Sequence, residues 1–100
     1  MYRQGELLLK KISKEQFQGF KGEKLNHRVI AEGETTGHKH ELNNGILYKQ
    51  RWNNTLFLEI PKEGAILTHP EHKPITFEQG FFEVITQREY TEQGIRRVRD

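Results

Sequence analysis

The stretch His38-Lys39-His40-Glu41-Leu42-Asn43-Asn44-Gly45-Ile46-Leu47-Tyr48-Lys49-Gln50 sets the fold class. Two short runs mixing apolar and polar residues flank an Asn-Gly pair, the strongest short signal for a hairpin turn. His38 to Leu42 and Ile46 to Gln50 are therefore predicted as strands joined by that turn. Outward from it the same grammar repeats: short apolar or alternating runs, broken by Gly, Asn and Pro.

Downstream, Asn53-Asn54 turns the chain into Thr55–Ile60, which puts Leu56, Leu58 and Ile60 on one face. Pro61 and Gly64 mark the next turn, and Ala65 to Thr68 is a short apolar strand. His69–Pro74 reads as a loop, followed by strands at Ile75–Glu78 and Phe81–Tyr90. Upstream, Arg28 to Glu34 is a strand, and so is Gly5 to Ile12 with Leu7, Leu8 and Leu9. Ser13-Lys14-Glu15-Gln16 has the spacing of a capping box and opens a helical turn, from which Phe17 and Phe20 fold back onto the strands. Thr91 to Asp100 is expected as a short helical or irregular tail, weakened as a helix by Gly94. The expected fold is thus all-β: a single domain over residues 1–100, a barrel or sandwich of about eight short strands. No segment keeps a helical period long enough for a bundle.

Composition excludes several classes. One hundred residues suit one domain. The apolar share of 33% is thin, so an oligomer interface or a bound metal is expected to supplement the core. With no Cys there are no disulfides, no Cys-ligated zinc and no iron–sulfur cluster. Leu7-Leu8-Leu9 is far too short for a membrane span or a signal peptide, so no membrane partner is expected. An aromatic content of 10% and a net charge of +2 do not fit disorder. Basic residues gather near the ends, with Lys10, Lys11 and Lys14 at one and Arg96, Arg97 and Arg99 at the other. The bland reading is solvated surface; the functional one is contact with phosphate or nucleic acid.

The histidines carry the chemistry. Of five, four fall in two close pairs, His38/His40 and His69/His72, while His27 stands apart. Strand residues two apart share a face, so His38 and His40 aim at one point. A second pair after a neighbouring strand supplies further ligands. Neutral imidazole suits a divalent ion such as Zn, Fe, Ni or Mn, with a carboxylate to complete the shell. Glu71, between the histidines of its own pair, ranks above Glu34 and Glu41, and Glu41 ranks lowest because it alternates away from His40. The competing readings are polar rim residues bonded to loop backbone, and metal-free acid–base chemistry of the kind that cleaves RNA.

Arg88 shares one face of the last predicted strand with Tyr90 and Val84. With Arg96 and Arg97 it is a candidate anion contact, against a rim ion pair with Glu89 or Asp100. Trp52 reads as a hydrophobic plug or oligomer contact, with base stacking as the alternative. Tyr48, Phe57 and Phe77 read as core or interface. Phe81 and Phe82 are adjacent on a strand, so one is expected inside and the other against a partner chain.

Gly33 to His40 is similar to the first motif of cupins, and Pro61-Lys62-Glu63-Gly64 followed by His69 is similar to their second. That resemblance implies a small β-barrel in which His38, His40 and His69 hold a divalent metal. The positions where cupins place their metal Glu are Asn44 and Gly45. The chain also resembles a group of short bacterial and phage proteins with the pattern G-E-x-T-G-H-x-H, H-x-x-H-x-P-I and Q-R-E-Y. These are Gly33 to His40, His69 to Ile75 and Gln87 to Tyr90. That likeness implies a cytoplasmic protein and brings no activity with it. The leading expectation is a homo-oligomeric, cupin-like metal-binding protein, with enzymatic activity left open. The alternatives are a module for nucleic acid or a phosphorylated small ligand, and a non-catalytic assembly protein.

Overall fold

The computed structural model describes residues 1–20, 22–32, 38–51 and 53–86. These form, in chain order, β1 (Tyr2–Gln4), β2 (Leu7–Ile12), α1 (Lys14–Phe20), β3 (Glu23–Lys24), β4 (Val29–Glu32), β5 (Lys39–Leu42), β6 (Ile46–Lys49), β7 (Leu56–Ile60), β8 (Ala65–His69), β9 (His72–Phe77) and β10 (Gly80–Thr86). The fold is all-β, as the sequence predicts, with ten strands where about eight are expected. The additional ones, β1 and β3, are three and two residues long. Runs that short carry no period to read. No helix among the described residues is long and apolar enough to cross a membrane.

The strands make two antiparallel sheets rather than a closed barrel. The larger runs β1-β2-β10-β7-β6-β3 and the smaller β4-β5-β8-β9. Their facing sides share one core, built of Leu7, Leu9, Leu47, Leu58, Ile60, Phe82 and Val84 from the large sheet, and Ile30, Leu42, Ala65, Leu67 and Phe77 from the small one. In the centre of the large sheet β2 pairs with β10, from Phe81↔Ile12 to Thr86↔Leu7, so the early chain is joined to the late chain.

The Asn-Gly segment does not make a hairpin. β5 lies in the small sheet and β6 in the large one, so Asn43-Asn44-Gly45 is an arch between layers. Its bonds anchor it. Asn43 Oδ1 accepts the Ile66 amide at 2.7 Å, and Asn43 N–H donates to Ile66 O at 3.1 Å, which ties the arch to β8. Gly45 has a φ of +95°, and a Cβ there would lie 2.8 Å from Glu59 O of β7.

The outer face of the large sheet is covered by α1. The capping box forms as predicted: Gln16 N–H donates to Ser13 Oγ at 3.1 Å, and Ser13 N–H to Gln16 Oε1 at 3.0 Å. Phe20 stacks on Phe57 with ring centres 4.2 Å apart, and Phe17 packs on Phe81 at 4.5 Å and on Tyr48 at 5.0 Å. Phe81 and Phe82 do face opposite ways. Phe82 enters the core against Phe77. Phe81 packs against Phe17 of the chain's own helix and stays half-buried. The expected loop at His69–Pro74 is also corrected. β9 begins at His72, and β8 and β9 form a tight hairpin with His69 opposite His72. Gln87 to Asp100, including Arg88, Tyr90, Arg96, Arg97 and the tail, lie outside the described residues, as do Gly33 to Gly37 with Glu34, and Trp52.

Candidate functional site

The small sheet brings both histidine pairs to one end of the sandwich. His40 lies on β5 with its side chain buried, and only 5% of the residue is exposed. His38 stands two residues earlier, at the lead-in to the strand, where the pleat puts it on the same side. β5 pairs with β8 through Glu41↔Thr68 and Leu42↔Leu67, which carries the last residue of β8, His69, toward the start of β5. The hairpin at Pro70-Glu71 then returns His72 opposite His69. A register irregularity falls between Leu67 and His69.

The result is a cluster of four imidazoles. Ring centres are 4.3 Å apart for His40 and His69, 4.6 Å for His69 and His72, 6.1 Å for His40 and His72, and 5.8 Å for His38 and His69. Glu71 joins them: its Oε1 accepts from His38 Nδ1 at 2.6 Å, and its backbone N–H donates to His69 Nδ1 at 3.0 Å. All five candidates drawn from the two histidine pairs and Glu71 thus meet. Glu41 is exposed, and its peptide oxygen accepts from Thr68 Oγ1. His27 is remote from this bonding; its Nδ1 accepts the Val29 amide at 3.2 Å.

One partner was not legible in the sequence. Gln4 of β1 is buried to 2% exposure. Its Oε1 lies 2.8 Å from His40 Nδ1, and its Nε2 lies 3.0 Å from Leu67 O and 2.9 Å from Lys73 O. A glutamine in a short edge strand looks like any solvated polar residue. Its role depends on β1 meeting β8 and β9 across the gap between sheets, which no local pattern records. Next to it, Gly5 lies against the His72 ring.

Electrostatics keep the centre of the cluster neutral. Burial, followed by the charges of His69 and His72, lowers the His40 pKa from 6.5 to about 4. The His69 pKa is lowered too, first by burial and then by His72 and His38, with Glu71 acting in the opposite direction. Neutral imidazoles are the form that binds metal ions. As they stand, the side chains are packed ring against ring. Among the described residues no three of His, Cys, Asp or Glu are grouped to hold an ion. Beside the cluster a surface groove of about 480 Å³ is lined by His38, Lys39, Glu41, Thr68, His69 and Pro70.

Fold and site together define an all-β, two-sheet domain with a polar histidine cluster at one end of its core. The chain belongs to the domain family of unknown function DUF8820, whose model matches residues 3–87. That span contains Gln4, Glu71 and all four clustered histidines. No curated protein and no solved structure matches the chain.

Proposed function

We propose that this protein binds a divalent transition-metal ion, such as Zn, Fe, Ni or Mn, through the cluster of His38, His40, His69 and His72. The observation that carries the reading is the spacing of the rings. Two imidazoles on one tetrahedral ion, with metal–nitrogen distances of about 2.0–2.1 Å, stand with their centres about 5 Å apart. The spacings of 4.3, 4.6 and 6.1 Å among His40, His69 and His72 bracket that value. Loading an ion then asks for rotation of the rings, which releases His69 Nδ1 from the Glu71 amide, so that their nitrogens converge. His38, held by Glu71, supplies a fourth nitrogen or the outer hydrogen-bonded layer. The open groove next to His38 and His69 leaves a route for an exchangeable ligand. Likeness to the cupin motifs points the same way.

The test uses chain without an affinity tag, stripped with chelator and reloaded. Elemental analysis should find about one ion per chain, and replacing both His40 and His72 by Ala should abolish uptake. Loading at a free ion concentration of about 100 times Kd should add about 2.7 kcal/mol of stability. Uptake far below one ion per chain after reloading would overturn the reading.

A further inference from the structure

We infer that Gln4 sets the ring tautomer of His40, and so commits Nε2 as the nitrogen His40 offers to a ligand. The amide of Gln4 can sit only one way. Its nitrogen faces two backbone carbonyls, Leu67 O at 3.0 Å and Lys73 O at 2.9 Å. Both only accept, so both amide protons are engaged. Turning the amide over would set its oxygen against those two carbonyl oxygens. Oε1 therefore faces His40 Nδ1, at 2.8 Å, and having no proton it can only accept. Nδ1 carries the hydrogen. A neutral imidazole has one ring proton, so Nε2 is left with its lone pair.

The rest of the cluster supplies a contrast. His38 Nδ1 donates to the Glu71 carboxylate, so it too keeps a lone pair on Nε2. His69 has the opposite assignment: its Nδ1 accepts the Glu71 amide, which places the ring proton on Nε2. Gln4 thus does for the buried histidine what Glu71 does for the half-buried one. A ring N–H held by an oxygen acceptor, with the other nitrogen presented, is the arrangement in which protein histidines bind metals. Gln4 is a positioning residue that reaches the site from the other sheet. Its effect on metal affinity rests on the metal-binding reading above; its effect on the tautomer does not.

Nitrogen-15 NMR of the imidazoles in metal-free protein at about pH 8, where histidine is neutral, reads the tautomers directly. The wild type should show His40 protonated on Nδ1 and His69 on Nε2. Two variants separate positioning from folding. Gln4→Met and Gln4→Glu both lose the amide donors to Leu67 and Lys73, so both should be less stable. Only Gln4→Glu keeps an acceptor for His40. It should retain the Nδ1–H form and bind Zn(II) within a few-fold of wild type. Gln4→Met should lose the fixed tautomer and bind Zn(II) about 10–100-fold more weakly. An Nε2–H form of His40 in the wild type would overturn the inference, and so would equal affinity losses in the two variants. If either variant fails to fold, the wild-type spectrum alone decides. A wild type with the expected tautomers that takes up no Zn(II) would remove the metal reading and leave the assignment of Gln4 standing.

Discussion

Gly5 has room for a hydrogen and for nothing larger. Its φ is +59°, and a Cβ would lie 2.8 Å from His72 Nε2. Gly5→Ala should therefore destabilise the protein by about 1–2 kcal/mol from the left-handed backbone alone, and displace the His72 ring as well. Urea unfolding checks this, and the same substitution in a His72→Ala background should retain only the backbone part. His40 gives a second prediction. Its pKa falls from 6.5 to about 4 on folding, so between those values the unfolded chain binds more protons than the folded one. Stability is then fully present above pH 6.5 and is lost as the pH falls toward 4, by about 3 kcal/mol at 1.36 kcal/mol per pKa unit. The lowered His69 pKa adds in the same direction. Denaturant midpoints of metal-free protein from pH 7.5 to 4 should trace this fall; a flat profile would contradict it. At this scale the sequence was most informative about His38, His40, His69 and His72. Period-two alternation puts His38 and His40 on one side, while the meeting of the two pairs depends on β5 pairing with β8. It was silent on Gln4, whose contacts lie 63 and 69 residues away along the chain.

Among the elements, the helix was the easiest to read and the arch the hardest. A capping box is a local chemical pattern, complete within Ser13 to Gln16, and it forms as written. Ser13→Ala should cost about 1 kcal/mol, seen as a lower unfolding midpoint and faster amide exchange over Lys14–Phe20. Asn43-Asn44-Gly45 has an equally local pattern but a non-local outcome. Positive φ at Gly45 is what a hairpin turn needs, and an arch uses it as well. What separates the two is whether the following strand finds its partner behind or across. β6 pairs with β7 and β3 instead of β5, and that choice is made by the sheets, not by the turn. The His69–Pro74 segment failed as a loop for a similar reason. His, Pro and Glu look like punctuation, but a two-residue turn at Pro70-Glu71 suffices, and His72-Lys73-Pro74 continues as strand at the edge of the small sheet, where a proline is tolerated.

For the molecule as a whole, the thin apolar content is spread over two layers. One lies between the sheets; the other lies under α1, where Phe57 and Ile12 are buried on the outer face of the large sheet, Phe20 stacks on Phe57 and Phe17 packs on Phe81. Sharing that sheet between two layers lets an apolar fraction of 33% enclose a domain without a barrel. Phe82, between the sheets and 2% exposed, should be the costlier aromatic to truncate. Phe82→Ala is expected to lose about 3–5 kcal/mol, and Phe20→Ala, half-buried under the helix, distinctly less. Chemical unfolding of the two variants compares the layers. The all-β class was legible because strand length and turn spacing are local properties. The division into two open sheets was not, since it depends on which distant strands pair.

The pairing of β2 with β10 carries a consequence for how the protein is made. Leu7 to Ile12 leave the ribosome well before their central neighbour, Phe81 to Thr86. The β1–β2 hairpin must wait, with one long edge open, while nearly the whole described chain is synthesised. Gln4 likewise has no acceptors until Leu67 and Lys73 have emerged. Closing such distant ends is slow and leaves apolar edges exposed meanwhile. The histidine cluster is therefore completed only once β9 has emerged, and a nascent chain stalled before it lacks both His72 and the Lys73 carbonyl that orients Gln4.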